Sequence, residues 1–163
     1  MAAFPQIRVV RLAECATHAI VDAVIGKCSD AEQCLAATLM DALALDMLPL
    51  ADRGYFSFAL WEKAKATGAD LPWRTKSSHL LDVQRRLSDG SYLSTIFPST
   101  KDRRHENNGA RVRVIEYSLG DSDDATYRLP STMLDPKTAS ARDARNSRSC
   151  VARIEACVRT SKS

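Results

Sequence analysis

Aromatic side chains are scarce in this sequence, at 6% of 163 residues, and no uninterrupted apolar run exceeds five residues. The second shortage excludes a membrane-spanning helix, which needs about 20 apolar residues in a row. Cysteine occurs in the wrong number and spacing for a scaffold: Cys15, Cys28, Cys34, Cys150 and Cys157 are odd in count and contain no C-x-x-C pair. That argues against a disulfide framework and against a zinc knuckle. It leaves reduced, mostly buried thiols in a cytoplasmic protein as the expectation. The opening Met1-Ala2-Ala3-Phe4-Pro5 lacks a basic n-region and an apolar h-region, which points away from secretion. Histidine is limited to His18, His79 and His105, and their surroundings give no support for metal ligation.

What is present suits one globular domain, or a core with a small appendage: 45% hydrophobic and 26% charged residues. A chain of this size can bury roughly 70% of its unfolded surface. The net charge of +3 is unevenly placed. Residues 137–163 carry seven Lys/Arg against Asp143 and Glu155, a surplus of +5, so residues 1–136 stand at −2. A nucleic-acid reading based on the pI of 8.7 alone would therefore rest on the tail.

Adjacent apolar pairs in Ile7–Ile25 (Val9-Val10, Ile20-Val21, Val24-Ile25) predict a hairpin covered on both faces, 7–14 and 18–25, turning at Cys15-Ala16-Thr17 and ended by Gly26. Ser29-Asp30-Ala31-Glu32 reads as a capping box. It opens a helix over 30–45 with Ala31, Leu35, Leu39 and Leu43 at four-residue spacing, and Ala36 and Met40 beside them. A short apolar strand, Met47–Ala51, runs into Asp52-Arg53-Gly54-Tyr55. Proline belongs at sheet edges and this strand is expected to be interior, so Pro49 points to a bulge or a decayed sequence. Ser57 caps a second helix, 57–67, stopped by Gly68, and a third strand follows at about 70–76 with Trp73, Arg74 and Lys76. Residues 81–136 alternate in β fashion as an antiparallel meander: Tyr92–Phe97, Arg111–Leu119 and Ala125–Leu134. Asp89-Gly90, a polar loop at 98–110 and Gly120-Asp121 separate these runs. Beyond 136 neither aromatics nor a useful amphipathic period remain.

Asp52 is the most informative polar position. It ends an apolar strand where the chain turns outward, so it can offer a carboxylate to a divalent metal, and oxygen ligands suit Mg²⁺. Equally, Asp before Arg-Gly is ordinary turn chemistry. Arg53, Arg74 and Lys76 are candidates for DNA phosphates near that strand end, or else a solvated strand end. Lys101, Arg103, Arg104, Arg111 and Arg113 form a basic cluster in which residues 99–115 net +3. Phosphate neutralisation with counterion release would suit it to DNA. Glu14 and His18 lack a third partner and read as structural. Trp61 reads as core, whereas Trp73 could stack on bases.

Leu50-Ala51-Asp52-Arg53-Gly54-Tyr55-Phe56, with Glu14-Cys15-x-Thr17-His18-Ala19-Ile20 before it and Trp73-Arg74-x-Lys76 after it, resembles the catalytic domain of bacterial insertion-sequence transposases. The subgroup is the one named after insertion sequence four. Asp89-Gly90-Ser91-Tyr92-Leu93, Val112-x-Val114-x-Glu116-Tyr117, Tyr127-Arg128-Leu129 and Leu134-Asp135-Pro136 are similar to its later segments, and the resemblance spans roughly 4–136. It implies an α/β fold: a partial ribonuclease H-like mixed sheet (1–80) with an inserted antiparallel β region (81–136), followed by a basic tail (137–163), disordered or read out of frame.

The family implies two-Mg²⁺ phosphoryl transfer on transposon-end DNA from an Asp, Asp, Glu site. In such sites the ions sit about 3.5–4 Å apart. Asp52 falls on the second Asp, as a catalytic residue and metal ligand. The strand bearing the first Asp would precede Phe4-Pro5-Gln6. The Glu helix should follow Asp135-Pro136, where Arg148 and Val151 break its pattern and leave Glu155 unassigned. The resemblance thus implies a transposase fragment inactive alone, with Arg53, Arg74, Lys76, Arg103 and Arg104 on DNA. The alternative is a non-catalytic module that binds DNA or another transposase chain and inhibits it. No membrane partner is expected.

Overall fold

The computed structural model describes residues 6–45, 47–118, 126–137 and, for its backbone, 151–160. It is a mixed α/β protein with mostly antiparallel sheets and few helices. Gln6–Glu14 (β1) and Ile20–Lys27 (β2) form the expected hairpin, with a register shift between Leu12 and Ala13. Its turn is set by Glu14, whose carboxylate accepts from the amides of Ala16 (3.0 Å) and Thr17 (2.9 Å). These bonds and the Thr17 hydroxyl hold the Glu14 carboxyl below its usual range. His18 takes a left-handed φ of 60° to complete the turn. Both residues are thereby occupied with structure.

One face of the hairpin is covered: Val10 and Leu12 are fully buried with Ala36, Leu39 and Met40. The other face is open, with Ile7, Ile20 and Ile25 exposed. Adjacent apolar pairs therefore misled, because burial on both sides also needs a second covering layer.

The first helix, Glu32–Leu39 (α1), begins later than the expected 30–45 and passes into a 3-10 turn at Met40–Ala42. The capping box does not form. Ala31, rather than Ser29, is the N-cap and has no side-chain bond. A turn at 27–30, closed by the Asp30 amide on the Lys27 carbonyl and by the Lys27 amide on the Asp30 carboxylate, holds Ser29 outside the cap position. Ser57 does cap Phe58–Lys65 (α2), accepting from the Leu60 amide, and Gly68 stops the chain at φ 84°.

Leu48–Leu50 (β3) lies at the margin of the first sheet, ordered β2-β1-β8-β3. Successive residues of a strand present their N–H and C=O to alternate sides. Ala51 accepts from the Arg74 amide at 2.9 Å, so Pro49 also turns its missing N–H away from β8, as an edge proline should. The expected strand at 70–76 is an extended seam rather than a ladder. Trp73 bridges Ala51 on one side, while Pro72 and Thr75 bridge Ser131 and Arg128 on the other.

The second sheet is the expected meander, ordered β4-β5-β6-β7: Arg85–Arg86 (β4), Tyr92–Ile96 (β5), Ala110–Tyr117 (β6) and Tyr127–Ser131 (β7). Within the polar loop a short helix forms, Thr100–His105 (α3), capped by Ser99. The turn expected at Gly120-Asp121 lies outside the described residues. Val151–Thr160 (β8) comes from the tail, where composition suggested no element. It pairs antiparallel with all of β1, from Gln6↔Thr160 to Glu14↔Ala152, and parallel with β3 from Leu48↔Val151 to Leu50↔Arg153. Among the described strands, β1 and β3 are thus joined through β8.

Both sheets share one core, in which Val10 and Leu12 join Trp61, Trp73, Tyr92, Ile96, Val112 and Val114. Trp61 and Trp73 are fully buried, edge to face at 5.6 Å, and the Trp73 indole N–H donates to the Pro49 carbonyl at 2.9 Å. Neither can stack on a base. The cysteines also depart from expectation: Cys15 and Cys34 are exposed and Cys28 is half-buried. Among the described residues no helix is long and apolar enough to cross a membrane.

Candidate nucleic-acid interface

The seam at 71–75 sets Arg74 beside Asp52. Its backbone alternates, Trp73 donating to Pro130 (3.0 Å) and Arg74 to Ala51 (2.9 Å). Leu71, Trp73 and Thr75 therefore turn inward, and Arg74 turns out. The Arg74 guanidinium lies 4.0 Å over the Tyr127 ring, and its Nη1 is 3.6 Å from Asp52 Oδ1. Tyr117 stacks on Tyr127 at 5.5 Å. Burial raises the Tyr117 pKa above its usual value, with Arg74 pulling the other way. Asp52, Arg74, Tyr127 and Tyr117 form a continuous stack that exposes the Asp52 end, whose side chain is 55% accessible.

Asp52 therefore neither hangs free nor sits deep in the core. It belongs to a turn closed by the Tyr55 amide on the Asp52 carbonyl (2.9 Å) and by Gln33 on the Gly54 carbonyl (2.8 Å). Arg53 is exposed on this turn. Among the described residues no three His, Cys, Asp or Glu side chains group to hold a metal ion. The fit to two Mg²⁺ is poor, because a single carboxylate facing a guanidinium offers a dication too few ligands and a competing positive charge. The β3–β8 ladder ends at Leu50↔Arg153, two residues before Asp52.

One residue along the seam, Thr75 bridges Arg128, whose guanidinium donates to the carbonyls of Ser77 and Lys76 (3.4 Å to the latter). Arg128 was not singled out from sequence, although it stands in the quoted Tyr-Arg-Leu segment. Its alternation in β7 could have marked it. Lys76 is exposed. His79 sits edge-on to Phe56 at 4.9 Å. Its pKa is lowered first by burial and then by the charges of Arg128, Arg103 and Lys76.

Arg103 and Arg104 separate here. Arg103 is half-buried, donates to the Leu80 carbonyl at 3.0 Å and pairs with Asp82, so it pins the 80–82 strand of chain to α3. Arg104 points into solvent with Lys101 and His105. Two shallow grooves of about 300 Å³ flank Arg103, one along Ser78–Leu80 and Phe97–Thr100, the other between Asp82, Gln84, Phe97 and Gly109. Arg113 leaves the basic cluster altogether. It is fully buried, bonded to Ser91 (2.8 Å) and paired with Asp89.

Arg74 thus shares a face with Tyr127 and Asp52, while Arg128, next to Tyr127 in β7, takes the opposite face and reaches the carbonyls of Ser77 and Lys76. Exposed Arg53, Lys76 and Arg104, with half-buried Arg74, are guanidinium and ammonium groups that can meet phosphates. The chain matches no family model, no curated protein and no solved structure.

Proposed function

We propose that this chain is a transposase-type protein of ribonuclease H-like α/β class that holds DNA through its phosphates, and that by itself it binds rather than cuts. The observation that carries the reading is that Arg53, Lys76 and Arg104 stand exposed, with Arg74 half-buried over Tyr127. The order of elements supports it too: hairpin, helix, strand ended by Asp52, helix, seam and meander are the succession the resemblance implies. In this reading Asp52 tethers Arg74 and sets its angle on Tyr127. A non-catalytic inhibitor that competes with an intact transposase for its DNA uses the same surface.

The test is fluorescence anisotropy on transposon-end duplexes across a salt series, followed by incubation with Mg²⁺. Binding should weaken steeply with salt. Lys76→Ala and Arg104→Ala should each flatten the log–log slope by about 0.9 without changing sequence preference. Asp52→Asn should tighten binding, since it removes a negative charge beside Arg74. Absence of binding at low salt sinks the reading. Mg²⁺-dependent nicking that is lost in both Asp52→Asn and Glu155→Gln would replace it with a catalytic one.

A further inference from the structure

We propose that the stack of Asp52, Arg74, Tyr127 and Tyr117 is a nucleobase site, in which an unpaired guanine lies on Arg74 and gives its Watson–Crick edge to Asp52. Three observations combine there. The first is the column itself. The Arg74 guanidinium is 4.0 Å from the Tyr127 ring centroid, and Tyr117 backs that ring at 5.5 Å with 30° between the planes. One face of the guanidinium is therefore taken, and the 30% of the Arg74 side chain that stays accessible is turned away from the ring. Bases stack on guanidinium planes as they do on aromatic rings. An incoming base extends a column that is already built.

The second observation is the carboxylate. Asp52 Oδ1 stands 3.6 Å from Arg74 Nη1, an ion pair too long for a hydrogen bond. Among the described residues nothing donates a hydrogen bond to this carboxylate, and its side chain is 55% accessible. Both oxygens thus keep their acceptor capacity. The third is the turn that fixes Asp52 in place, closed by the Tyr55 amide on the Asp52 carbonyl at 2.9 Å and by Gln33 on the Gly54 carbonyl at 2.8 Å. A receptor ordered before its ligand arrives loses less entropy on binding.

The pair of acceptors selects the base. Guanine presents N1–H and its 2-amino group side by side, two donors spaced for one carboxylate. Adenine and cytosine offer one amino group each, next to a ring-nitrogen lone pair that a carboxylate repels. Thymine offers N3–H between two carbonyl oxygens, the least favourable edge of the four. Base pairing hides this edge, so the guanine must be unpaired. Its source is a free nucleotide or an unpaired stretch of DNA, and Arg53, exposed on the same turn, offers a charge to the attached phosphate. For a DNA strand the inference rests on the phosphate-binding reading above; for a free nucleotide it stands apart from it.

The full-length chain is titrated, by fluorescence anisotropy, with labelled thymine strands of about 12 nucleotides that carry or lack one central guanine. Isothermal titration with the 5′-monophosphates of deoxyguanosine and thymidine is the free-nucleotide arm. Binding should be about tenfold tighter where guanine replaces thymine, and the arm that shows it names the source. Asp52→Asn exchanges one acceptor for a donor, and Arg74→Lys keeps the charge but removes the plane. Each should bring the guanine-to-thymine ratio close to one. No guanine preference in either arm overturns the proposal, as does a preference that survives either substitution. Salt-sensitive duplex binding without any guanine preference removes this site and leaves the DNA reading. Guanine preference without duplex binding upholds the site and removes that reading.

Discussion

At the scale of single residues, charge proved a poor guide to exposure. Arg113 and Arg104 looked alike in the sequence, both within a basic stretch. One is fully buried on Asp89 and Ser91, and the other stands in solvent. The difference is one of strand phase and partner, since the acidic turn at Asp89 lies more than twenty positions away along the chain. His79 carries a pH consequence. Burial and the neighbouring cations Arg128, Arg103 and Lys76 lower its folded-state pKa below the ordinary 6.5. As pH falls through 6.5 the unfolded chain takes up this proton first, so the folded state loses stability between about 6.5 and the depressed value. Above 6.5 the contribution is flat. His79→Phe, which keeps a ring against Phe56, should remove that acid-side loss in thermal melts taken between about pH 5 and 7. An unchanged slope would place the titration elsewhere.

Elements were legible where a local rule acted alone. Ser57 before an apolar period, Gly68 after it, and the alternation of β5, β6 and β7 all appear as read. They were illegible where two local rules competed or where a partner lay far off. Ser29 and Glu32 read as a capping box, but the turn at 27–30 intervenes, so α1 starts uncapped at Ala31. β8 owes its existence to β1, which lies far from it in sequence, and a tail rich in Arg, Ser and Ala gives no sign of that pairing. Likewise nothing in the local sequence announces that Arg74, Tyr127 and Asp52 meet, because the seam is defined only by its bridges to Ala51 and β7. The helix ends give a paired prediction. Ser57→Ala should cost about 1 kcal/mol, and Ala31→Ser should add a similar amount by supplying the missing acceptor. Urea titrations with unchanged m-value check both. A loss on Ala31→Ser would show that the 27–30 turn, rather than the cap, governs the entry of α1.

For the whole molecule, the decisive feature is that the two sheets are not separate bodies. Residues of the hairpin, both longer helices, the seam and the meander contribute to one buried cluster. Pro130 shows how the join is made. Its carbonyl accepts from the Trp73 amide at 3.0 Å, so its absent N–H also faces the seam and deprives β6 of nothing. A shared core implies a shared transition. Trp61 and Trp73 lie where the sheets meet, so their fluorescence reports the junction, while far-UV circular dichroism reports both sheets. The two signals should follow one thermal curve. Val112→Ala, at a fully buried position of β6, removes two methyl groups and leaves a cavity, at a cost of about 2 kcal/mol. In a chain of this length that lowers the single midpoint by about 4–8 °C in both signals. A dichroism change that moves while the tryptophan signal stays would show that the meander melts on its own. The cations carried by the seam and by α3 would then lose the shared rigid base that holds their spacing against a phosphate backbone.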